Sequence, residues 1–367
     1  MTHPHHSRSR HTSRALIASG ILALVLLLAL LWVLLPYGDT ANASLLFSRG
    51  AAPKTIVIKA TLDRVDYDRR MLALANYPAP IASSTASTTI AAPHAWPVAS
   101  APYPLPGAIL PFKRIVAYYG NFYSTGMGVL GQYPEDVMLQ KLQGAVDEWQ
   151  TADPSTPVLP AIHYIVETAQ ESAQKDGTYR LQMPDSQIDK ALEIANKVHG
   201  VVFLDFQVGL STLQKDLPEY EKYLSMPNVN LGIDPEFSMK TGAKPGREIG
   251  EFDAADINFA AEYLAGLVRT YNLPPKILVV HRFTQDMVTH YKNIAPLPEV
   301  QIVMDMDGWG DQAKKLNTYS RVIVSEPVQF TGFKLFYKND LLPPSTGLLS
   351  PAQLMKLTPR PIYIQYQ

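Results

Sequence analysis

Residues 229–236 read Val-Asn-Leu-Gly-Ile-Asp-Pro-Glu. Residues two apart on a strand project to the same side. As a strand, this stretch puts Asn230, Gly232, Asp234 and Glu236 on one face and Val229, Leu231 and Ile233 on the other. The apolar face suits a covering layer of helices. The opposite face is small and then acidic at its C-terminal end, where α/β enzymes commonly build their sites.

Seven further apolar runs of strand character flank this one: Arg114–Gly120, Val158–Val166, Val201–Gln207, Lys276–Phe283, Val300–Asp307, Gly332–Tyr337 and Pro361–Gln367. Segments of helical period separate them. Pro134–Thr151 starts with a proline suited to a first turn, followed by Glu135 and Asp136, which the helix dipole favours. Ser186–His199 stops at Gly200, and Ala254–Tyr271 follows Asp253 as its cap. Shorter helices are expected at Leu217–Leu224, Thr284–Asn293, Gln312–Tyr319 and after Ser350-Pro351. Repeated βα units imply a parallel sheet covered on both faces. Eight of them over about 255 residues imply an α/β protein of the (β/α)8 TIM-barrel type. A doubly wound open sheet is the alternative, but neither Gly-x-Gly-x-x-Gly after the first strand nor a Walker loop supports it. No helical stretch follows the eighth strand. The linker, or a helix before the first strand, is expected to cover the barrel there.

The region before residue 112 differs in texture. Residues 1–14 form a basic, His-rich tail, and residues 15–35 are twenty-one uncharged, mostly aliphatic residues. Such a run spans the ~30 Å hydrocarbon core of a bilayer as a helix. The basic tail before it and Asp39 after it place the N-terminus in the cytoplasm and the remainder outside. Cleavage near Ala43, giving a secreted chain, is the alternative to an uncleaved anchor. Thr55–Ala75 contains an alternating piece expected as a strand or hairpin, and Asn76–Gly107 is rich in Pro, Ala, Ser and Thr. Residues 36–111 are thus expected as an extracytoplasmic spacer ahead of a barrel over 112–367.

Composition narrows the chemistry. The formal net charge is -1, which does not favour nucleic acid as a partner. With no cysteine there is no disulfide framework, no thiolate metal site and no thiol nucleophile. No Gly-x-Ser-x-Gly elbow or His-Glu-x-x-His spacing occurs, the His-x-His at residues 3–5 lies in the basic tail, and no cofactor or metal is expected.

In a barrel of this kind the reactive groups sit at the C-terminal strand ends. In chain order these ends offer Tyr118 and Tyr119, His163 and Glu167, Asp205 and Gln207, Asp234 and Glu236, His281, Asp305 and Asp307, Tyr337, and Gln365. Trp309 follows in a Gly-Trp-Gly turn. Buried carboxylates are costly unless paired, so Asp205, Asp234 and Asp305 within apolar strands point to a site. The expected catalytic set is Glu236, Asp234, Asp305 and Asp205. The expected substrate-binding set is Tyr118, Tyr119, Gln207, His281, Asp307, Trp309, Tyr337 and Gln365.

Asp234-x-Glu236 at the end of the fourth strand resembles the Asp-x-Glu pair of family 18 chitinases and family 25 lysozymes. The further upstream aspartates of the chitinase pattern are Asn230 and Gly232 here. Gly-Ile-Asp-Pro-Glu-Phe, Val-Val-His-Arg-Phe and Phe-Lys-Leu-Phe-Tyr are similar to stretches of uncharacterised bacterial secreted or lipoprotein-like barrel proteins of the glycoside-hydrolase-like superfamily. The resemblance implies Glu236 as general acid and Asp234 as the group that orients an N-acetyl substituent or an intermediate. Asp305 or Asp205 is then the base or stabiliser. The expectation is a membrane-anchored glycoside-hydrolase-like barrel. Its partners are an envelope or extracellular polysaccharide and, through residues 15–35, the lipid bilayer. A non-catalytic glycan- or protein-binding barrel and a metal-dependent hydrolase using His281, Asp205, Asp234 and Asp305 are the alternatives.

Overall fold

Val229–Ile233 is the fourth of eight parallel strands that close on themselves. The computed structural model describes residues 61–77 and 95–367. The barrel strands are β1 Arg114–Gly120, β2 Val158–Ala169, β3 Val201–Phe206, β4 Val229–Ile233, β5 Lys276–Arg282, β6 Val300–Met306, β7 Phe330–Leu335 and β8 Tyr363–Tyr366. Each pairs in parallel with the next, and β1 pairs with β8 through Ile115↔Tyr363 to Tyr118↔Tyr366, which closes the barrel. A short strand, Arg180–Gln182, adds antiparallel to the end of β2. The helices include α1 Arg64–Ala75, α2 Glu135–Ala152, α3 Asp185–Lys197, α4 Ala254–Tyr271, α5 Gln312–Thr318 and α6 Pro351–Leu354. The expected (β/α)8 class is therefore the observed one, and the open sheet is excluded by the β1–β8 ladder.

Strand alternation sorts the side chains into two cores. Outward residues such as Val229, Leu231, Ile233, Leu278, Val280, Ile302 and Met304 join the helices in one apolar cluster. Inward residues Ile115, Ala117, Ala161, Phe203, Val279 and Val303 form the second, around the N-terminal half of the barrel axis. Gly232 also faces inward. A methyl there would lie 2.3 Å from His163 Nε2 and 2.4 Å from Asp205 Oδ1. The missing side chain makes room for the polar groups above it.

The N-terminal mouth of the barrel is stoppered by chain preceding β1. α1 buries Tyr67, Met71, Leu74 and Ala75 against the inner core, spaced as one face of a helix. Asp63 caps it, accepting from the Asp66 N–H at 2.9 Å, and Asn76 ends it in the left-handed conformation (φ 52°). The alternating piece expected as a strand or hairpin is residues 55–62, of which 55–60 lie outside the described residues; residues 64–75 after it are helical. Trp96, expected in the extended spacer, is buried and donates its indole N–H to Gln329 O at 2.8 Å. Leu110 exchanges two bonds with the Gln301 amide, and Arg360 N donates to Leu74 O. Chain preceding the first strand thus closes the N-terminal mouth of the barrel. The basic tail and the expected membrane helix at 15–35 lie outside the described residues. Among the described residues no helix is long and apolar enough to cross a membrane.

Three further expectations change. Thr284–Asn293 is not an α-helix. Arg282 donates to the Thr284, Gln285 and Val288 carbonyls, so those acceptors are taken by a side chain instead of a helical ladder. Val288–Thr289 pairs with Phe252–Asp253 there, before a single turn at Tyr291–Asn293. Leu217–Leu224 is split into a 3-10 turn, Leu217–Tyr220, and one α turn, Glu221–Leu224. β4 ends at Ile233 because Pro235, which lacks an N–H, opens a 3-10 turn capped by Asp234.

Gly232→Ala is expected to lower stability by about 1–3 kcal/mol through overpacking. Gly144→Ala, exposed in the interior of α2 with nothing near its Cα, is expected to raise it by about 0.5–1 kcal/mol. Chemical denaturation of the two variants checks both signs.

Candidate active site

A cleft of about 840 Å³ opens over the C-terminal strand ends, within the range of small-molecule sites. Asp234 and Glu236 after β4, Asp307 after β6 and Lys334 on β7 all line it. Tyr119, Gln207 and Trp309 line it too, Trp309 with 50% of its surface exposed. The loop carrying Trp309 is fixed by a buried ion pair. Lys315 lies 2.8 Å from Asp340 Oδ2 and donates to Gly308 O, while Asp340 accepts from the Gly310 N–H at 3.0 Å.

Beneath the cleft, inward side chains from seven strands form one polar network. His281 on β5 is its centre. His281 Nε2 is 3.2 Å from Asp205 Oδ1, and Nδ1 is 3.2 Å from Asp307 Oδ2 and 3.4 Å from Asp305 Oδ2. The Nδ1 contacts are ion pairs aligned too poorly for hydrogen bonds. Asp205 also accepts from the Tyr119 hydroxyl at 2.9 Å and faces His163 Nε2 at 3.0 Å. His163 Nδ1 sits 2.6 Å from the Tyr363 hydroxyl and 3.1 Å from Gln365 Nε2. Lys334 Nζ is 2.9 Å from Asp307 Oδ1 and 3.9 Å from the centre of the Tyr119 ring.

This geometry separates the titrating groups. Burial alone would strip His281 of its charge, but Asp205, Asp305 and Asp307 outweigh it and hold the imidazolium well above its usual range. Burial takes His163 the other way, down to about 4, with Asp205 opposing. His163 is therefore neutral, and the network puts its proton on Nε2, toward Asp205. Burial opposes ionisation of Asp307, yet Lys334 and then His281 pull it below the ordinary carboxylate value. Asp205 is lowered in the same way by His281 and His163 against its burial. Glu236 goes up to about 7, through burial and then the Asp307 charge. Asp234 is pushed well above its ordinary value, chiefly by burial, with Glu236 and Asp307 adding to it. Asp305 is raised by burial against the pull of His281.

The expected residues divide accordingly. Asp234, Glu236, Asp307, Tyr119, Gln207 and Trp309 line the cleft. Gln207 ties two of the loops, accepting from the Ala169 N–H and donating to Asp234 Oδ2 at 3.4 Å. Asp205, Asp305, His281 and Gln365 are fully buried below it and do not line it. Asp205 and Asp305, expected to act on the substrate, instead flank His281 beneath the cleft. Tyr118 points outward, into the helical layer, and meets the Tyr337 hydroxyl at 3.0 Å. A residue beside an inward neighbour on a strand faces out, so Tyr118 and Tyr119 could not both serve. Tyr337 lies past the end of β7, outside the main cleft. Lys334 was missed. β7 starts two residues earlier than expected, at Phe330, and its inward set is Phe330, Gly332 and Lys334, with Phe336 following just past its end. A lone lysine two positions after a glycine in an apolar run was the available signal.

Among the described residues, ligand-type atoms of His163, Asp205 and His281 lie within 4.8 Å of one another. Each is already joined to another member by a hydrogen bond, so the group is closed on itself.

No protein-family model and no curated protein matches the chain. Among solved structures it is similar to a trimodular GH5 subfamily 4 endoglucanase at 10% identity and a TM-score of 0.39, over 71% of this chain and 56% of that one. It is similar to a Bacteroides ovatus GH5 xyloglucanase in complex with a XXXG heptasaccharide at 11% identity and 0.35, over 70% and 69%. It is also similar to a Burkholderia cenocepacia dihydropteroate synthase complexed with 7,8-dihydropteroate at 10% identity and 0.31, over 70% and 86%. The chain spans little more than half of the endoglucanase. At these values the likenesses carry no argument about chemistry, and two different chemistries stand among them.

The folded state holds the Glu236 proton more tightly than the unfolded chain, whose glutamates titrate near the ordinary value. This contribution to stability is present at acidic pH and is lost as pH rises through about 7. Glu236→Gln is therefore expected to stabilise the protein more at about pH 8 than at about pH 5, by on the order of 1–3 kcal/mol. Denaturation at the two pH values checks it.

Proposed function

We propose that this chain is a glycoside hydrolase whose general acid is Glu236 and whose ionised partner is Asp307. One observation carries the reading. Two carboxyl groups on the same cleft are driven to opposite protonation states, Glu236 upward and Asp307 downward, by burial and by the Lys334 and His281 cations. That division is what glycoside hydrolysis by a carboxyl pair requires.

In the proposed reaction the Glu236 carboxyl gives its proton to the glycosidic oxygen as the bond to the anomeric carbon breaks. The Asp307 carboxylate offsets the positive charge that develops at that carbon. Water supplies the hydroxyl that replaces the leaving sugar, and its remaining proton restores a protonated carboxyl. Asp234 holds the turn that carries Glu236, accepting from the Glu236 N–H at 3.1 Å. Its raised affinity for protons suits it to donate a hydrogen bond to a substrate group. Trp309 offers an exposed aromatic face for a sugar ring. We further propose that residues 15–35 anchor the chain in a membrane with the barrel outside, where envelope or extracellular polysaccharide is the available substrate.

Glu236→Gln and Asp307→Asn are each expected to lower kcat on the hydrolysed glycan by about 10²–10⁴-fold. In the parent, kcat/KM is expected to fall as pH rises through about 7, where Glu236 loses its proton. Reducing-sugar release from a polysaccharide panel measures all three. Unchanged turnover in both variants would overturn the assignment. Binding by the parent without turnover would favour a non-catalytic glycan-binding barrel.

A further inference from the structure

A second hollow, of about 420 Å³, lies beside the cleft, between the loop after β1 and the loop after β7. Gly126, Phe336, Asn339 and Gln367 line both, so the two are neighbours across a common wall. The far side of the hollow carries Gln132, Tyr133, Tyr337 and Lys338. Among the described residues no aspartate or glutamate lines it. The main cleft beside it is acidic, with Asp234, Glu236 and Asp307. Amides, phenol rings and a single ammonium suit a hydroxyl-rich ligand: rings to lie against sugar faces, and donors and acceptors for hydroxyls.

The walls are built, not incidental. On the β1 side, Asn121 donates to Ile165 O at 3.0 Å and accepts from the Tyr123 N–H at 2.9 Å. Gly128 has φ +127°, and a methyl there would lie 2.4 Å from Tyr119 O, so the loop folds back tightly on β1. On the β7 side, Asp340 accepts from the Phe336 N–H at 2.9 Å and pairs with buried Lys315. Tyr337 N donates to Gln367 O at 2.8 Å, tying the β7 end to the β8 end. The Tyr337 ring stacks on Tyr366 at 5.1 Å and 18° and is thereby held upright.

We propose that this hollow is a sugar-binding subsite that holds further units of a glycan chain whose scissile bond lies at Glu236 and Asp307. The proposal rests on the glycosidase reading and adds the substrate class: an extended oligo- or polysaccharide, bound across the strand ends from Trp309 to Tyr133, not a single terminal sugar. Phe336 lines both hollows. Both ends of this track are solvent-exposed, at Trp309 on one side and at Gln132 and Lys338 on the other.

The test is calorimetric titration of the full chain, in detergent and carrying Glu236→Gln to prevent turnover. The probes are cello-, xylo- and chito-oligosaccharides, each as dimer and hexamer. The hexamer of the accepted series is expected to bind at least about tenfold more tightly than its dimer. Adding Tyr133→Ala is expected to reduce that advantage to about twofold while leaving dimer affinity unchanged. Lys338→Ala, at an exposed position that carries no structural contact in the core, is expected to reduce it in the same direction. Dimer binding without a length advantage, or an advantage that survives both substitutions, overturns the subsite and leaves the glycosidase reading standing. Failure of every series at both lengths overturns both.

Discussion

The constraint on which this site depends is that charge placed inside a barrel must be neutralised inside it. His281 is fully buried with Asp205, Asp305 and Asp307 around its two ring nitrogens. An imidazolium in such a place is tolerable only because carboxylates flank it, and each carboxylate is tolerable only because of the imidazolium or Lys334. The pairing reaches the cleft at Asp307 and its partner Lys334, which both line it. Through it, groups that never touch solvent determine which carboxyl above them is ionised.

The same economy explains the neighbours. Tyr119 covers the network, donating to Asp205 while its ring faces the Lys334 ammonium. His163 is neutral and completes the Asp205 shell. Gly232 leaves the volume that His163 and Asp205 occupy. At the opposite end, the barrel needs no polar network because α1, Trp96 and Leu110 close it with apolar surface and a few backbone bonds. The two halves of one barrel axis thus follow different rules: an apolar stopper below, paired charges above.

Several elements of this arrangement were legible in the order of residues. The alternation in Val229–Ile233 predicted which face meets the helices, and the eight-fold recurrence of strand and helix predicted closure. The acids at the strand ends pointed to the right end of the barrel. What escaped were effects of partners distant in sequence. Arg282 captures three carbonyls and dissolves an expected helix. The helix at 64–75 went unread because its apolar face buries only against the barrel mouth. β7 begins at Phe330 and not at Gly332, and that shift of the expected boundary turned attention to Tyr337 and away from Lys334.

The sequence by itself determined the class of fold, the number of repeating units and the end of the barrel where chemistry can occur. Those follow from periodicity, which is local. Only the tertiary structure decided how Asp234 and Glu236, first read as two acids on one strand tip, are placed. Pro235 turns the chain between them, Asp234 becomes the cap of that turn, and Glu236 projects into the cleft opposite Asp307. Protonation states depend on distance and burial across strands, and no spacing along a single chain contains either quantity.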